Sequence, residues 1–538
     1  MAVSVDFYGK NYVEPGAYAT TVYNPTSVVN VSQFGNVMII DTGIGAVENG
    51  YQFGGGSGVI GELAKGIKSV YEFTSYEDFR AFVGGGMIAS VAEKLFTPYD
   101  GATGTPRLYY ARAATTKSAL ITLTISEGNA LVLKCKNEGA NANGIVDDTV
   151  LKFGYGARIV AGDDGGFKLQ VFRGNYQGTD DAGEPYGAYN LANAGAQLLG
   201  ETKECATLGE LFEVVRSNKT MNAHFIPSTT GDLTTSLAAS AALVPATGGT
   251  TAYLSGDEMA TLLDSITELN VTFFLCANTE VNKGVDAATN VKLFTFLKNE
   301  AKFTEFMVVP SGADDTQLFG EQNTAEAIAK YYNDPQVIAV FGAPQVTRRD
   351  NNGTKDLNPI YLAATITGLL AGGRPWTPLT FGRVGYTNFV YDLKKKEREK
   401  ALQLGILHVR NVNGYWVVNQ SINTVQDNLQ PLNMDGNSFE ISIELIKAQL
   451  SKELIVDAQN RFTGKTIAQT YPEAIKNFTE TKLASLVAEV GNDNMIISWK
   501  NVVVKAKNND YYVSFDFIPN GPVNKQFFVG NVLDFTLE

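Results

Sequence analysis

The feature that most constrains the fold is a regular alternation of apolar runs and helical patterns between residues 251 and 385. The runs "VTFFLCA", "FTEFMVVPSG" and "VIAVFGAP" are short and bounded by polar residues, glycine or proline, which is typical of buried strands. They alternate with the predicted helices "SGDEMATLLDSIT", "NVKLFTFLKNEA", "TAEAIAKYYN" and "PIYLAATITGLLAG". In the first helix, Ser255 precedes Glu258 by the spacing of a capping box. Strands that alternate with helices favour a mainly parallel α/β core.

An earlier segment, residues 31–116, is predicted to form the first part of the same core. "NVMII" at 36–40 predicts a buried strand, and Ser75 is a good N-cap for a helix that ends at the glycines 84–86. We expect a second helix over 87–96 and a strand in "PRLYYARA" at 106–113.

The pattern between the two core parts is different. This region contains the short strand patterns "ALITLTI", "ALVLKC" and "FKLQVFR", which are separated by Gly, Asn and Asp. It ends with the low-complexity linker "LTTSLAASAALVPATGGTT", which leads back to the core. We therefore predict that residues 117–250 form an inserted, outward-facing, β-rich domain.

Residues 386–525 predict an α+β C-terminal domain. "DLKKKEREKALQLG" is a helical pattern stopped by Gly405, and Asn413-Gly414 predicts the turn of a hairpin in "ILHVRNVNGYWVVNQSIN". Helices are expected over 439–460 and 472–490, followed by two strands in "NMIISWKNVVVKAKNNDYYVSFDFIP".

The two chain ends alternate apolar and polar residues, as strands do. We predict an extended arm at 1–30 and a strand arm at 526–538. An amphipathic strand left in solvent exposes apolar surface and unpaired backbone groups, so it needs a sheet edge. The residues predicted to contact neighbouring subunits are Val3, Val5, Phe7, Phe527, Val529, Leu533, Phe535 and Leu537.

Bulk properties exclude several classes of protein. The 538 residues are too many for one hydrophobic core, so several domains are expected. The net charge of −13 repels phosphate, which argues against nucleic acid as a direct partner. Three widely spaced cysteines favour synthesis in a reducing compartment. The N-terminus lacks the features of a signal peptide, and no segment is apolar enough for membrane insertion.

Residues for enzyme chemistry are scarce. His224 and His408 are the only histidines, too few for a zinc motif or a histidine cluster. "GSGVIG" at 56–61 matches a dinucleotide-binding pattern but lacks a preceding strand. The acidic loops at 162–166 and 178–184 lack calcium-loop spacing and are interpreted as turns. We predict no catalytic residue, cofactor or metal ligand.

One motif, Asp41-Thr42-Gly43, has the form in which an aspartic protease presents a catalytic carboxylate. That chemistry needs two carboxylates that share a proton, and the chain has one such triplet. The simpler interpretation is that Asp41 ends the buried strand "VMII".

Taken in order, these segments resemble the contractile-tail sheath family of myovirus-type phages and related injection particles. The matching stretches are "EPGAY", "GNVMIIDTG", "VYEFTSYEDFRAFVGGG", "GTPRLYYARA", "LKCKNEGANANG" and "GILHVRNVNGYWVV". The likeness covers nearly the whole chain, although "FGRVGYTNFVYDL" at 381–393 lacks the family's more proline-rich wording.

The resemblance implies a mechanical function without an active site. Sheath subunits polymerise helically around an inner tail tube, and the sheath contracts to drive that tube through a cell envelope. The implied partners are many copies of the same chain, the tube protein, and baseplate and tail terminator proteins. The implied location is the virion, after synthesis in the host cytoplasm.

Two alternatives stay open at the level of sequence. One is another self-assembling virion protein, such as a tube or capsid component. The other is the aspartic protease with Asp41 as its carboxylate.

Overall fold

The computed structural model describes residues 5–7, 10–12, 34–41, 70–83, 87–112, 114–138, 143–147, 150–173, 197–240, 242–253, 256–267, 269–276, 284–299, 304–322, 324–347, 354–426, 439–462, 471–489, 493–507 and 510–521. Internal contacts divide the chain into two compact units. Unit 1 comprises residues 1–36, 97–105 and 270–538, and unit 2 comprises residues 37–96 and 106–269.

The described residues contain eleven α-helices. They are α1 Tyr76–Val83, α2 Met87–Phe96, α3 Leu208–Ser217, α4 Lys219–His224, α5 Gly256–Ile266, α6 Gly284–Asn299, α7 Ala325–Tyr332, α8 Ile360–Gly372, α9 Lys395–Gln403, α10 Ile441–Phe462 and α11 Pro472–Ser485.

The same residues contain twenty-five strands. They are β1 Val5–Phe7, β2 Lys10–Tyr12, β3 Val37–Asp41, β4 Val70–Phe73, β5 Leu108–Arg112, β6 Ala114–Ser126, β7 Asn129–Glu138, β8 Ile145–Asp147, β9 Val150–Phe153, β10 Tyr155–Ala161, β11 Phe167–Arg173, β12 Gln197–Glu201, β13 Phe225–Thr230, β14 Val244–Pro245, β15 Thr250–Tyr253, β16 Phe273–Leu275, β17 Phe306–Gly312, β18 Val337–Phe341, β19 Pro344–Thr347, β20 Thr354–Asp356, β21 Asn388–Phe389, β22 Ile406–Val412, β23 Tyr415–Val418, β24 Ile496–Lys507 and β25 Asp510–Pro519.

In unit 1, four strands form the parallel sheet that the alternating pattern predicts. The order is β16-β17-β18-β22, and each neighbouring pair is parallel. Every residue of β16, β17 and β18 is buried, as expected where both faces of a sheet are covered. The apolar helix α8 packs on these three strands. The prediction of a mainly parallel α/β core is confirmed for this sheet.

The hairpin β22–β23 extends the sheet on one side. Its turn lies at Asn413 and Gly414, whose φ angles are 53° and 86°. Both values lie in the left-handed region, which is the geometry of the two-residue turn that Asn-Gly favours. The prediction of this hairpin is confirmed.

In unit 2, three neighbouring strands have the order β4-β5-β3, and β3 and β5 run parallel. The buried ring of Phe79 in α1 packs edge-on against Phe73 at 5.1 Å and Tyr110 at 5.6 Å. The Ser75 hydroxyl accepts a hydrogen bond from the backbone N–H of Asp78 at 3.2 Å and so caps α1 as predicted.

Residues 114–253 of unit 2 hold two four-stranded antiparallel sheets, with the orders β12-β11-β10-β14 and β13-β7-β6-β15, and the two-stranded antiparallel sheet β8-β9. Their buried side chains form a cluster that begins at Ala119 and ends at Ala246, and α3 contributes to it. Helices α3 and α4 were not predicted, although Thr207 and Glu210 have a capping spacing. The Thr207 hydroxyl accepts from the Glu210 N–H, and the Glu210 carboxylate accepts from the Ala206 N–H.

The chain enters and leaves this β-rich region at one place. Strands β6 and β15 pair antiparallel, and in that pair Lys117 lies opposite Thr250. The two predicted ends of the inserted segment are therefore neighbours across a β ladder.

The last helices of unit 1 pack against a separate two-stranded antiparallel ribbon made of β24 and β25, called here the C-terminal ribbon. The predicted strands are present, and the predicted turn at 508–509 lies outside the described residues. The buried cluster beneath the ribbon contains Ile446, Leu450, Leu483, Leu486, Met495, Ile496 and Val502.

Candidate interaction surfaces

Asp41 is the last residue of β3, and its Cα lies opposite that of Arg112 on the parallel strand β5. The four preceding residues of the strand are buried. The interpretation that Asp41 ends a core strand is confirmed. Thr42 and Gly43 lie outside the described residues.

The two histidines belong to different units and to different apolar surroundings. His224 ends α4 and lies beside the rings of Tyr155 and Phe225. His408 is fully buried in β22, where Nδ1 is 3.0 Å from the carbonyl oxygen of Ile406 and Nε2 is 3.0 Å from the amide Nδ2 of Asn419. Nδ1 therefore carries the proton and Nε2 accepts. Burial lowers the pKa of His408 to about 4, so the ring is neutral at pH 7.

The three cysteines are free and buried, as is usual for this residue type. Burial raises the pKa of Cys135 and Cys276 to about 12, and it also raises the pKa of Cys205. Since the thiolate is the nucleophile, these side chains are packing groups at neutral pH.

The acidic loop at 162–166 is a turn closed by a carboxylate. Glu204 accepts hydrogen bonds from the backbone N–H groups of Asp163 at 2.7 Å and Gly166 at 3.1 Å, and also from that of Asp164. Desolvation opposes ionisation of Glu204, but the backbone donors outweigh it and lower the pKa of this carboxyl. The turn interpretation is confirmed here, whereas the loops at 56–61 and 178–184 lie outside the described residues.

The part of the chain that the structure describes holds no group of three or more His, Cys, Asp or Glu that could bind a metal ion. Within these residues, no helix is long and apolar enough to cross a bilayer.

The C-terminal ribbon is a candidate interaction surface, because its strands are only partly paired within the described residues. The outer edge of β24 is covered at its start, where the N–H of Ile496 donates to Leu486 and its carbonyl accepts from Ala488. Strand β25 pairs with β24 alone among the described strands. The backbone groups on the outer edge of β25, from Val513 to Ile518, can therefore pair with an added strand.

The two faces of the C-terminal ribbon differ. Trp499, Phe515 and Phe517 pack against the cluster beneath the ribbon. Ile497, Val503 and Ile518 are exposed, the last with 55% of its surface open to solvent. The apolar patterns of both strands were predicted, but an unpaired edge is a tertiary property that no pattern within one strand reveals.

The predicted subunit-contact residues lie mostly outside the described residues. Val5 and Phe7 belong to β1, which pairs antiparallel with β2. Val3 and the five C-terminal residues, Phe527, Val529, Leu533, Phe535 and Leu537, are outside the described part. Their role in subunit contacts stays a prediction.

Comparison with solved structures identifies the class of fold. The chain is similar to the sheath tail protein of Desulfitobacterium hafniense, with a TM-score of 0.56 and 14% sequence identity over 92% of this chain and 96% of the other. It is also similar to the sheath tail protein Lin1278 of Listeria innocua, with a TM-score of 0.47 and 13% identity over 91% and 96% of the two chains.

A third similar structure is the helical sheath of the anti-feeding prophage in its contracted state. Its TM-score is 0.37 at 14% identity, and the match covers 54% of this chain and 78% of the other. Only the first of these three structures has a TM-score above 0.5 and therefore defines the fold. No protein-family model matches the chain, and no curated protein sequence matches it.

The chain therefore has the fold of a sheath tail protein along almost its whole length. The resemblance to contractile tail sheath proteins, seen first in the order of short motifs, is confirmed at the level of fold. The expected mixed α/β architecture with several sheets is confirmed with it.

Proposed function

We propose that this chain is the structural subunit of a contractile tail sheath. The observation that carries the proposal is the shared fold with a sheath tail protein over 92% of this chain. The subunit polymerises helically around an inner tail tube, and contraction of the lattice drives the tube through a cell envelope. Its partners are further copies of itself, the tube protein, and baseplate and tail terminator proteins. It is a component of the virion and is synthesised in the host cytoplasm.

Mechanically, a contractile lattice needs stiff bodies and joints that survive a change in their relative orientation. The parallel sheet of unit 1 suits a stiff body, because every residue of β16, β17 and β18 is buried and both faces of the sheet are covered. An interface with two stable arrangements then stores and releases the free energy of contraction.

The joints are strands donated from one subunit to the next. The arms at 1–30 and 526–538 supply the strands, through Val3, Val5 and Phe7 and through the five apolar C-terminal residues. The outer edge of the C-terminal ribbon is an acceptor site because β25 has one described strand partner. Backbone hydrogen bonds of an added strand do not depend on side-chain detail, so they can persist while subunit bodies rotate. Burial of the five C-terminal side chains contributes about 5–10 kcal/mol before ordering costs.

Residues 117–250 form an outward-facing domain that the lattice does not need. The support is their own hydrophobic cluster and the pairing of Lys117 with Thr250, which brings both ends together. Replacement of residues 118–249 by a short Gly/Ser linker is therefore compatible with the remaining fold. We expect the shortened protein to form tubes in electron micrographs, and a folded protein that never forms tubes would place this domain in the lattice.

The decisive experiment for the function is negative-stain electron microscopy of the purified full chain. We expect hollow tubes or stacked rings with a regular helical repeat. Closed shells, or monomers under all assembly conditions, would contradict the sheath function.

A further inference from the structure

One edge of the parallel sheet in unit 1 carries an unusual group of side chains. Residues 381–384 lie beside β23 as an additional short edge segment. The Phe381 N–H donates to the Val418 carbonyl at 2.9 Å, and Arg383 forms a β bridge with Val417. On the other side of β23, Arg410 of β22 also lies opposite Val417. The two arginines therefore flank one residue on the same face.

Each of these arginines lies over an aromatic ring. The Arg383 guanidinium is 3.9 Å from the ring centre of Tyr415, and that of Arg410 is 4.9 Å from the ring centre of Phe381. Phe381 and Tyr415 are 54% and 53% exposed. We call these four residues the Arg–aromatic platform. Trp416, which follows Tyr415 in β23, points to the opposite face of the sheet and is buried against Phe389.

The backbone at the platform is strained. Phe381 has a φ angle of 63°, which a bulky residue rarely adopts. Its own N–H bond to Val418 and the bond from Gly382 N–H to the Leu379 carbonyl at 2.7 Å hold that conformation. This backbone conformation is energetically unfavourable, yet it places an aromatic ring in solvent. Strain of this kind concentrates at functional sites.

Among the described residues, neither arginine of the platform forms an ion pair. The ion pairs within the described residues use other basic side chains than Arg383 and Arg410. Arg383 is exposed, so the N–H edge of its guanidinium can bind a carboxylate with two parallel hydrogen bonds. The Nε of Arg410 is buried and has no hydrogen-bond partner among the described residues. Arginine and aromatic residues together are also the side chains that contribute most to binding at protein interfaces.

We propose that the Arg–aromatic platform is a contact between copies of this chain, and that it binds an acidic segment of a second copy. The occupant follows from charge complementarity. The chain has 56 acidic against 43 basic residues, so the surface of a second copy is predominantly acidic and attracts an unbalanced cationic patch. The inference rests on the proposed function and adds a lattice contact that is independent of the strand arms.

The test compares charge reversal at the platform with a matched reversal elsewhere. The variant Arg383→Glu/Arg410→Glu should raise the concentration needed for tube formation by about tenfold per arginine, as expected for a lost charge-assisted hydrogen bond. The control Lys395→Glu/Lys396→Glu changes the charge equally at exposed positions of α9 and should assemble as wild type. The variant Arg383→Lys/Arg410→Lys keeps the charge without the planar stack and should assemble with an intermediate defect. Tryptophan fluorescence checks that each variant is folded.

The occupant is identified by p-benzoylphenylalanine placed at Tyr415 and cross-linked under assembly conditions, whether or not tubes form. We expect the captured peptide to come from a second copy and to contain Asp or Glu. Unchanged assembly of the folded charge-reversal variant, or capture of a different protein, overturns the platform contact while tubes of the wild type uphold the sheath function. If the wild type forms no tubes, capture of a second copy upholds the platform and rejects the sheath function. Absence of both tubes and cross-links rejects both.

Discussion

Two sheets of unit 1 differ in how completely their strands are paired. In the parallel sheet, β17 and β18 each have a parallel partner on both sides, and all their side chains are buried. In the C-terminal ribbon, β25 has one described partner, and residues such as Ser514, Asp516 and Ile518 are exposed. A sheet that satisfies its own backbone and buries both faces is a closed structure, whereas a two-stranded ribbon gains stability from further strands. We therefore propose that the parallel sheet stabilises the fold, whereas the outer edge of the ribbon accepts a strand from another subunit.

The largest effect is expected from removal of the C-terminal arm. Deletion of residues 526–538 should leave a folded monomer that forms no tubes, because the donated strand is lost while the buried sheet and the cluster beneath the ribbon stay intact. The measurement is electron microscopy together with circular dichroism of the same sample. Regular tubes from the truncated chain, or an unfolded monomer, would show that the arm is not the joint.

A single substitution in the closed sheet should act on folding instead. Phe341 of β18 is fully buried, so Phe341→Ala should lower the free energy of unfolding of unit 1 by about 3–5 kcal/mol through loss of burial and creation of a cavity. Trp376, Trp416 and Trp499 all belong to unit 1, so tryptophan fluorescence during denaturation reports on this unit.

The matched control lies on the exposed face of the ribbon. Ile518→Thr should change the free energy of unfolding by less than about 0.5 kcal/mol, since the side chain is largely in solvent already. A large loss of stability from Ile518→Thr, or a negligible one from Phe341→Ala, would remove the distinction between the two sheets.

The same distinction explains how much of the structure the sequence predicts. Strands of the parallel sheet are visible as apolar runs because burial on both faces favours apolar residues at most positions. The hairpin turn at Asn413 and Gly414 is visible because few residues tolerate its backbone angles. These features depend on residues that are close in sequence.

Features that depend on distant residues were not predicted. The segment 381–384 becomes an edge beside β23 only through pairing with residues more than thirty positions away. The positive φ angle of Phe381 has no local signal, because phenylalanine does not favour that region. The platform combines Arg383 with Arg410, and no motif spans such a separation.

A smaller effect on the closed sheet is expected from pH. Desolvation lowers the pKa of His408 to about 4 in the folded chain, against an ordinary value of 6.5. The unfolded chain therefore binds the proton first, and the stability contributed by neutral His408 is complete above pH 6.5 and lost as the pH falls to 4. The loss amounts to about 3 kcal/mol. The nearby charges of Arg398 and Arg410 act in the same direction.

The measurement is the denaturation midpoint of unit 1, followed by tryptophan fluorescence from pH 7 to pH 4. His408→Gln cannot titrate, so its midpoint should fall less steeply than that of the wild type over this range. Parallel pH profiles for the two proteins would mean that His408 is not the group whose protonation destabilises the sheet.

The smallest effect is expected at Asp41, where the sequence offers its most enzyme-like motif. Aspartic catalysis depends on a carboxylate that shares a proton with a second one, so its loss as Asn would abolish activity. Asp41 instead ends a buried strand of unit 2 and lies in register with Arg112, in a chain whose fold is that of a sheath tail protein. Asp41→Asn should therefore leave folding, tube formation and particle infectivity unchanged, and pepstatin should have no effect on the wild type. Normal tubes combined with lost infectivity would point to catalysis at Asp41, because Asn preserves the size and shape of the side chain while it removes the charge that catalysis requires.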